Sequence, residues 1–183
     1  MFDHLMRRAH PAADIATRLY GAIVARARNS AFYADLAVPD TVTGRFEMLV
    51  VHLALIVGRL QGEKTERPLA QAVFDLFCVD MDSSLRELGF GDLGVPHRMK
   101  KMTEAFYGRA RVYGEALAAG NRAALIAAVE RNVFSGEAAT APALADYMIA
   151  SAARLAAEPV SGLDANPPFA DPAAFAAETP LTR

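Results

Sequence analysis

The chain has 183 residues, which is enough for one domain with a sizeable core. Hydrophobic residues make up 53% of it and charged residues 22%, a composition typical of a globular protein. The formal net charge of −2 gives no overall field that would attract DNA or acidic lipid. About a fifth of the residues are alanine, which favours helices.

The single cysteine and the short apolar runs limit the environments that suit this chain. Cys78 cannot form an internal disulfide, and its apolar surroundings favour a small buried side chain over a nucleophile. The longest apolar run, residues 46–60, is shorter than the about 20 residues that cross a membrane. No apolar segment follows Arg7 and Arg8, so no targeting sequence is evident. We expect a soluble protein in a reducing compartment.

The first predicted helix covers residues 11–29, because Ile15, Leu19 and Ile23 recur every four residues. Residues 31–40 are predicted to form a loop or a short helical turn. A second predicted helix follows these residues and is more apolar than the first.

The second predicted helix begins after a cap at Thr41 or Thr43 and is apolar on nearly every side between residues 46 and 60. A helix of this kind is buried on several sides, so we predict that it lies at the centre of the bundle. His52 in its middle is predicted to be a core or edge histidine with satisfied hydrogen bonds rather than a metal ligand. No second histidine, cysteine or carboxylate lies beside it at the spacing of metal ligands.

The rest of the chain predicts four more helices and an irregular tail. Helical periodicity covers residues 68–88, 96–119, 121–133 and 143–157. The fold class predicted is therefore all-α, a single-domain bundle of about six helices around a central buried helix. We divide the chain into an N-terminal segment (1–10), the helical domain (11–157) and a Pro/Ala-rich tail (158–183).

The tail is set apart by its composition, because half of the 10 prolines follow residue 158. Periodicity is lost there, apart from one short turn. Two alternatives are open for it. The tail is either mobile or lies along the helical body with Phe169 and Phe175 as anchors.

Two of these helices form a charged helical hairpin, residues 80–109. Gly89 ends the first arm, where positive φ is needed, and Pro96 suits the first turn of the second arm. Acidic residues surround the first arm and the turn, and basic residues begin the second. They are Asp80, Asp82, Glu87 and Asp92, followed by His97, Arg98, Lys100 and Lys101.

The turn of the hairpin also contains a G-x-G-x-x-G pattern at residues 89–94. In a dinucleotide site this pattern follows a strand and begins a helix, so that the helix N-terminus holds the pyrophosphate. Here a helix precedes it. The pattern therefore indicates a helix–helix connection and not a nucleotide site.

Catalytic and metal-binding motifs are not found in the sequence: it has no HExxH, no cysteine pair, no P-loop and no G-x-S-x-G. Asp80 and Asp82 point about 200° apart on a helix, so they do not share a metal. Asp82 is placed to pair with Arg86 four residues on. Asp80 has no such partner and is expected to cap a helix or to bridge to another one.

The basic residues at the start of the second arm suggest a binding role. The helix dipole disfavours cations at that end, so their placement indicates an acidic partner, RNA phosphate or lipid headgroups. The alternative is that they pair within the chain, with Asp92, Glu87 or Glu104. Composition and spacing leave this choice open.

The hairpin sequence resembles the ubiquinol–cytochrome c chaperone family. The resemblance rests on D-x-D-x-x-L-R-E-x-G-x-G-D-x-x-V-x-x-R-M-K at residues 80–100, a long and specific pattern. It extends over about residues 19–155, including L-Y-G-A-I-V-A-R-A-R and G-R-F-E-M-L-V-V-H. The chain has His97 where a lysine is expected. It also begins without the long N-terminal extension of the mitochondrial members, which suits a bacterial protein.

The resemblance implies an assembly factor for the cytochrome bc1 complex that binds newly made cytochrome b, and not an enzyme. It implies no cofactor or metal, and as partners the nascent chain of cytochrome b, the ribosomal exit region and a small co-chaperone. It implies a cytoplasmic protein, at most in peripheral contact with the inner face of the inner membrane. The residues it marks for partner binding are Asp80, Asp82, Arg86, Glu87, Gly89, Gly91, Asp92, Arg98, Lys100, Lys101, Phe106, Tyr107 and Arg109.

Two other readings stay open. The groove between the central and hairpin helices suits a lipid or a small molecule, which would make the chain a helical ligand-binding domain or an enzyme. A purely structural reading instead makes the charges of the hairpin intramolecular.

Overall fold

A computed structural model describes residues 11–136, 141–163 and 166–176. Within these ranges the chain forms six long helices and a single-turn helix, with no strand, so the predicted all-α bundle is confirmed. The predicted N-terminal segment, 1–10, lies outside the described residues. The helices are α1 (Pro11–Ala27), α2 (Ala31–Ala34), α3 (Val42–Gln61), α4 (Arg67–Glu87), α5 (Gly94–Ala118), α6 (Arg122–Val133) and α7 (Ala141–Ala157).

Helix α3 lies at the centre of the bundle, as predicted. It packs against α1, α4, α5, α6 and α7. Thirteen of its residues are buried, more than one amphipathic face provides, so other helices cover it on several sides. Its start is fixed by Thr41, whose side chain accepts a hydrogen bond from the backbone N–H of Gly44 at 3.1 Å.

The long helices end and begin where the sequence provides caps. Gly120 has φ +61° after α5, and its backbone N–H donates to the carbonyl of Leu117. Asn121 then accepts a hydrogen bond from the N–H of Ala124 at 3.0 Å and begins α6. Helix α5 begins at Gly94, two residues before the predicted start.

Helices α4 and α5 are joined along their length by aromatic rings. Phe74 of α4 lies 4.9 Å from Phe106 of α5 between ring centroids, and Phe77 lies 6.0 Å from the same ring. Phe46 of α3 lies 6.3 Å from Phe77. These contacts hold the two arms of the hairpin together and against the central helix.

The buried histidine of α3 connects that helix to α7. The Nδ1 atom of His52 lies 2.7 Å from the carbonyl oxygen of Met48, and its Nε2 atom lies 2.7 Å from the hydroxyl of Tyr147. A carbonyl only accepts, so Nδ1 carries the proton and Nε2 accepts from the tyrosine. Burial lowers the pKa of His52 to about 4, which keeps it neutral. The prediction of a core histidine with satisfied hydrogen bonds is confirmed.

The described part of the tail lies along the body, which is one of its two predicted alternatives. Phe169 is buried, and its ring meets that of His52 edge to face at 5.0 Å. The N–H of Ala170 donates to the hydroxyl of Ser151 at 3.1 Å. Phe175 packs less deeply, with its ring 6.0 Å from that of Tyr147. The core of the bundle and the tail therefore share one set of contacts.

We predict that His52 makes the protein less stable as the pH falls. The unfolded chain takes up a proton near pH 6.5, whereas the folded protein resists it until about pH 4. Stability should therefore be lost progressively between those values, by about 3 kcal/mol from this residue. Urea unfolding of the wild type and of His52→Gln between pH 7 and pH 4 measures it, and the variant should show the shallower dependence.

His97→Gln is the matched control, because His97 is exposed. Its pH dependence should follow that of the wild type. If the wild type and His52→Gln lose the same free energy of unfolding between pH 7 and pH 4, the pH dependence does not come from His52.

Candidate functional site

The turn of the hairpin, residues 88–93, is built on one glycine. Gly89 has φ +86°, and its N–H donates to the carbonyl of Arg86 at 2.9 Å. The N–H of Phe90 donates to the carbonyl of Leu85 at 3.1 Å. This pair of bonds satisfies the last carbonyls of α4 and turns the chain sharply. The G-x-G-x-x-G pattern thus follows a helix, as predicted, and has no strand before it.

Arg86 ties the end of α4 to the turn. Its guanidinium donates to Asp82 at 2.7 Å and to Asp92 at 2.7 Å. The hydrogen bonds to Asp82 and to Asp92 raise the pKa of Arg86 further above its ordinary value. The predicted pair of Asp82 and Arg86 is confirmed. Asp92 forms a second ion pair with the same guanidinium, and this pair links the turn to α4.

Asp80 takes no part in these ion pairs and instead joins α4 to α1. The hydroxyl of Tyr20 in α1 donates to Asp80 in α4 at 2.6 Å. Burial and this carboxylate raise the pKa of Tyr20, so the phenol stays protonated and keeps donating. The expectation that Asp80 bridges to another helix is confirmed. Glu87 is exposed and has no ion pair among the residues that the structure describes.

The basic residues in the first turns of α5, Arg98, Lys100 and Lys101, are exposed and only loosely engaged. The guanidinium of Arg98 lies 3.8 Å from the centre of the Phe90 ring, a cation–π contact across the turn. Lys100 lies 3.9 Å from Glu104, and Lys101 has no ion pair within the described ranges. Since α5 begins at Gly94, these cations lie beyond its first turn and the helix dipole penalises them less than the sequence implied.

Two of the residues marked by the resemblance lie inside the protein. Phe106 is buried against Phe74. Arg109 forms a two-pronged ion pair with Glu47 of α3, both bonds 2.6 Å long. Tyr107, by contrast, is half exposed. Phe106 and Arg109 therefore fix the position of α5, with Phe106 buried and Arg109 only partly exposed.

Glu47 is the important residue that sequence reasoning missed. Its side chain is 2% exposed, and that of Arg109 is 21% exposed. Burial raises the pKa of Glu47, and the hydrogen bonds from Arg109 oppose that rise. A single carboxylate within the apolar run of α3 was a signal, because a buried charge needs a partner.

Apolar residues at the turn were also missed. Leu93 is 97% exposed, and Leu88 is 65% exposed. They lie at the turn, where the ring of Phe90 meets the guanidinium of Arg98, and close in sequence to Lys101, so the end of the hairpin combines apolar and positive groups. Such a mixture suits a partner surface.

The described ranges contain neither a candidate metal site nor a helix that could cross a membrane. No group of three or more histidines, cysteines and carboxylates is placed there to hold a metal ion. None of the helices there has the length and apolar character needed to cross a bilayer.

The chain is similar to known proteins over nearly its whole length. A family model described as ubiquinol–cytochrome C chaperone matches residues 34–167. A crystal structure of the Cbp3 homolog from Brucella abortus is similar, with a TM-score of 0.81 and 41% sequence identity. The match covers 94% of this chain and 98% of that one. The comparison with curated proteins finds no match.

We predict that Gly89→Ala destabilises the protein by about 1 kcal/mol, because an alanine in the left-handed region is strained. A Cβ atom at Gly89 would meet no other atom within 4 Å, so backbone strain alone is tested. Gly91→Ala is the control, since Gly91 also has room and lacks positive φ. Urea unfolding should show little change for Gly91→Ala. Equal values for the two variants would contradict the role of the turn.

We predict that Arg109→Met lowers the free energy of unfolding by about 3 kcal/mol, because it leaves the carboxylate of Glu47 buried without a partner. Glu47→Leu combined with Arg109→Met should recover much of that loss. Arg111→Met is the control on the same helix, because Arg111 pairs with exposed Glu115 at 3.1 Å and with no other group among the described residues. It should change stability by less than about 1 kcal/mol. A loss as large as that of Arg109→Met would refute the distinction.

Proposed function

The chain belongs to the ubiquinol–cytochrome c chaperone family, as the hairpin pattern predicts, and we propose that it assists the assembly of the cytochrome bc1 complex by binding newly made cytochrome b. The observation that carries this proposal is the family match over residues 34–167, which includes the whole hairpin. The 41% identity to the Cbp3 homolog from Brucella abortus supports it.

We propose that the partner contacts the end of the hairpin. Residues at the surface there, or farther along its arms, are available for direct contact: Glu87, Gly91, Arg98, Lys100, Lys101 and Tyr107. The remaining marked residues shape that surface through the contacts described above: Asp80, Asp82, Arg86, Gly89, Asp92, Phe106 and Arg109. Exposed Leu93 gives apolar area between the charged groups.

We propose further that the protein acts by binding alone and not by catalysis. A chaperone covers the apolar segments of its client until the client is assembled. This requires a binding surface and not an active site. By family resemblance its other partners are the ribosomal exit region and a small co-chaperone. The place of action proposed is the cytoplasmic side of the inner membrane, where the protein would meet its client in peripheral contact.

The test is recovery of cytochrome b with the tagged full chain from detergent-solubilised cells of its source, identified by mass spectrometry. Lys100→Glu combined with Lys101→Glu should reduce recovery about tenfold, which corresponds to about 1.4 kcal/mol of binding free energy. The melting temperature should stay the same, because both lysines are exposed and Lys100 has only a 3.9 Å ion pair.

Lys64→Glu combined with Arg67→Glu is the matched control. It changes the net charge equally, and both residues are exposed: Arg67 begins α4 at the end remote from the turn, and Lys64 lies in the 3-10 turn just before it. Its recovery of cytochrome b should equal that of the wild type. If the folded wild type recovers no cytochrome b, the proposed function is wrong, and bound lipid or small molecules become the next candidates to identify.

A further inference from the structure

An open groove runs between α1, α3 and α4, beside the hairpin turn. Its volume is about 460 Å³. Apolar side chains from four helices form its floor: Val24, Phe46, Leu49, Met81, Leu85 and Met102. The two methionines are flexible and polarisable, so this floor can adapt to side chains of different shapes.

The rims of the groove expose large apolar side chains to water. Val42 is 77% exposed on the α3 side, and Leu88 is 65% exposed on the α4 side. Both line the groove, so apolar surface continues from its floor to its edges. A partner with apolar side chains would remove this area from water.

The length of the groove suits two turns of a helix. On α4 it is lined at residues 80, 81, 84, 85 and 88, which form one continuous helical face. At 1.5 Å per residue, the distance from Asp80 to Leu88 is about 12 Å. An apolar stripe at i, i+4 and i+7 of a bound helix covers a similar length.

One uncommitted positive charge lies beside this apolar floor. Arg28, just after the end of α1, lines the groove and is exposed, and its guanidinium has no hydrogen bond or ion pair within the described residues. The other charged groups of the groove are already engaged: Arg45 pairs with Asp40 at 2.7 Å, and Asp80 accepts from Tyr20. The groove therefore favours a ligand that carries one carboxylate next to its apolar face.

We propose that this groove binds a helical segment of the client, with a two-turn apolar stripe on the floor and an acidic side chain at Arg28. The inference rests on the proposed function, since it takes the client to be cytochrome b. It goes further by naming a second surface, continuous with the end of the hairpin at Leu88, and the chemistry that this surface recognises.

The test is site-specific photocrosslinking in cells of the source, with benzoylphenylalanine in the full chain at Leu88 or at Val79. Val79 is the matched control, because it is 64% exposed on the same helix and does not line the groove. Position 88 should crosslink to a segment of cytochrome b, and position 79 should not.

Charge variants test the role of Arg28 in the same cells. Arg28→Glu and the milder Arg28→Gln should lower the crosslink from position 88, the first about fivefold, as expected for a lost exposed charge pair of about 1 kcal/mol. Arg154→Glu should leave it unchanged, because Arg154 is also an exposed arginine at the end of a helix. Melting temperatures verify that the variants are folded.

The outcomes separate the two proposals. If cytochrome b is recovered with the protein but position 88 crosslinks no better than position 79, the groove proposal is wrong and the proposed function stands. A phospholipid attached at position 88 in place of a peptide would also overturn the groove proposal. If cytochrome b is recovered with none of the folded proteins, the proposed function fails and this inference fails with it.

Discussion

Helix α3 carries two ionisable side chains, Glu47 and His52, into a core that other helices cover on several sides. Neither group is stable there without a partner, because burying an unpaired polar group costs several kcal/mol. Glu47 obtains Arg109 from α5, and His52 obtains the hydroxyl of Tyr147 from α7. These two buried polar residues of α3 thus tie it to α5 and to α7.

The first of these contacts has consequences for the hairpin. Since Arg109 is held by Glu47 and Phe106 packs against Phe74, α5 is fixed to the core in its middle. The first turns of α5 remain at the surface with exposed Arg98 and Lys101. Charges that look alike in the sequence thereby divide into an internal set that gives rigidity and an external set available to a partner.

The second contact links the core to the tail. Ser151 on α7 accepts a hydrogen bond from Ala170, and Phe169 covers the ring of His52. The described part of the tail therefore completes a core that α3 and α7 begin. This packing lies around α7, whereas the groove and the hairpin turn are formed by α1, α3, α4 and α5, so the two surfaces proposed for the client do not include the described part of the tail.

The sequence determined the helices, their caps and the family pattern, because each depends on residues close together in the chain. Periodicity predicted a buried α3, with Thr41 or Thr43 as its cap, and Gly89 marked the end of α4. It also predicted the pair of Asp82 and Arg86, which are four residues apart. Helix starts were less certain, as α5 shows, because Gly94 and Val95 are helical without a strong local signal.

Only the tertiary structure decided which groups meet across helices. Tyr20 and Asp80 are 60 residues apart, and Glu47 and Arg109 are 62 apart. Local sequence gives no information on such pairs, since they depend on how helices cross and rotate against one another. The groove has the same origin: Leu49, Met81 and Leu85 of its floor are buried, and only the packing of α1, α3 and α4 leaves Val42 and Leu88 exposed at its rims.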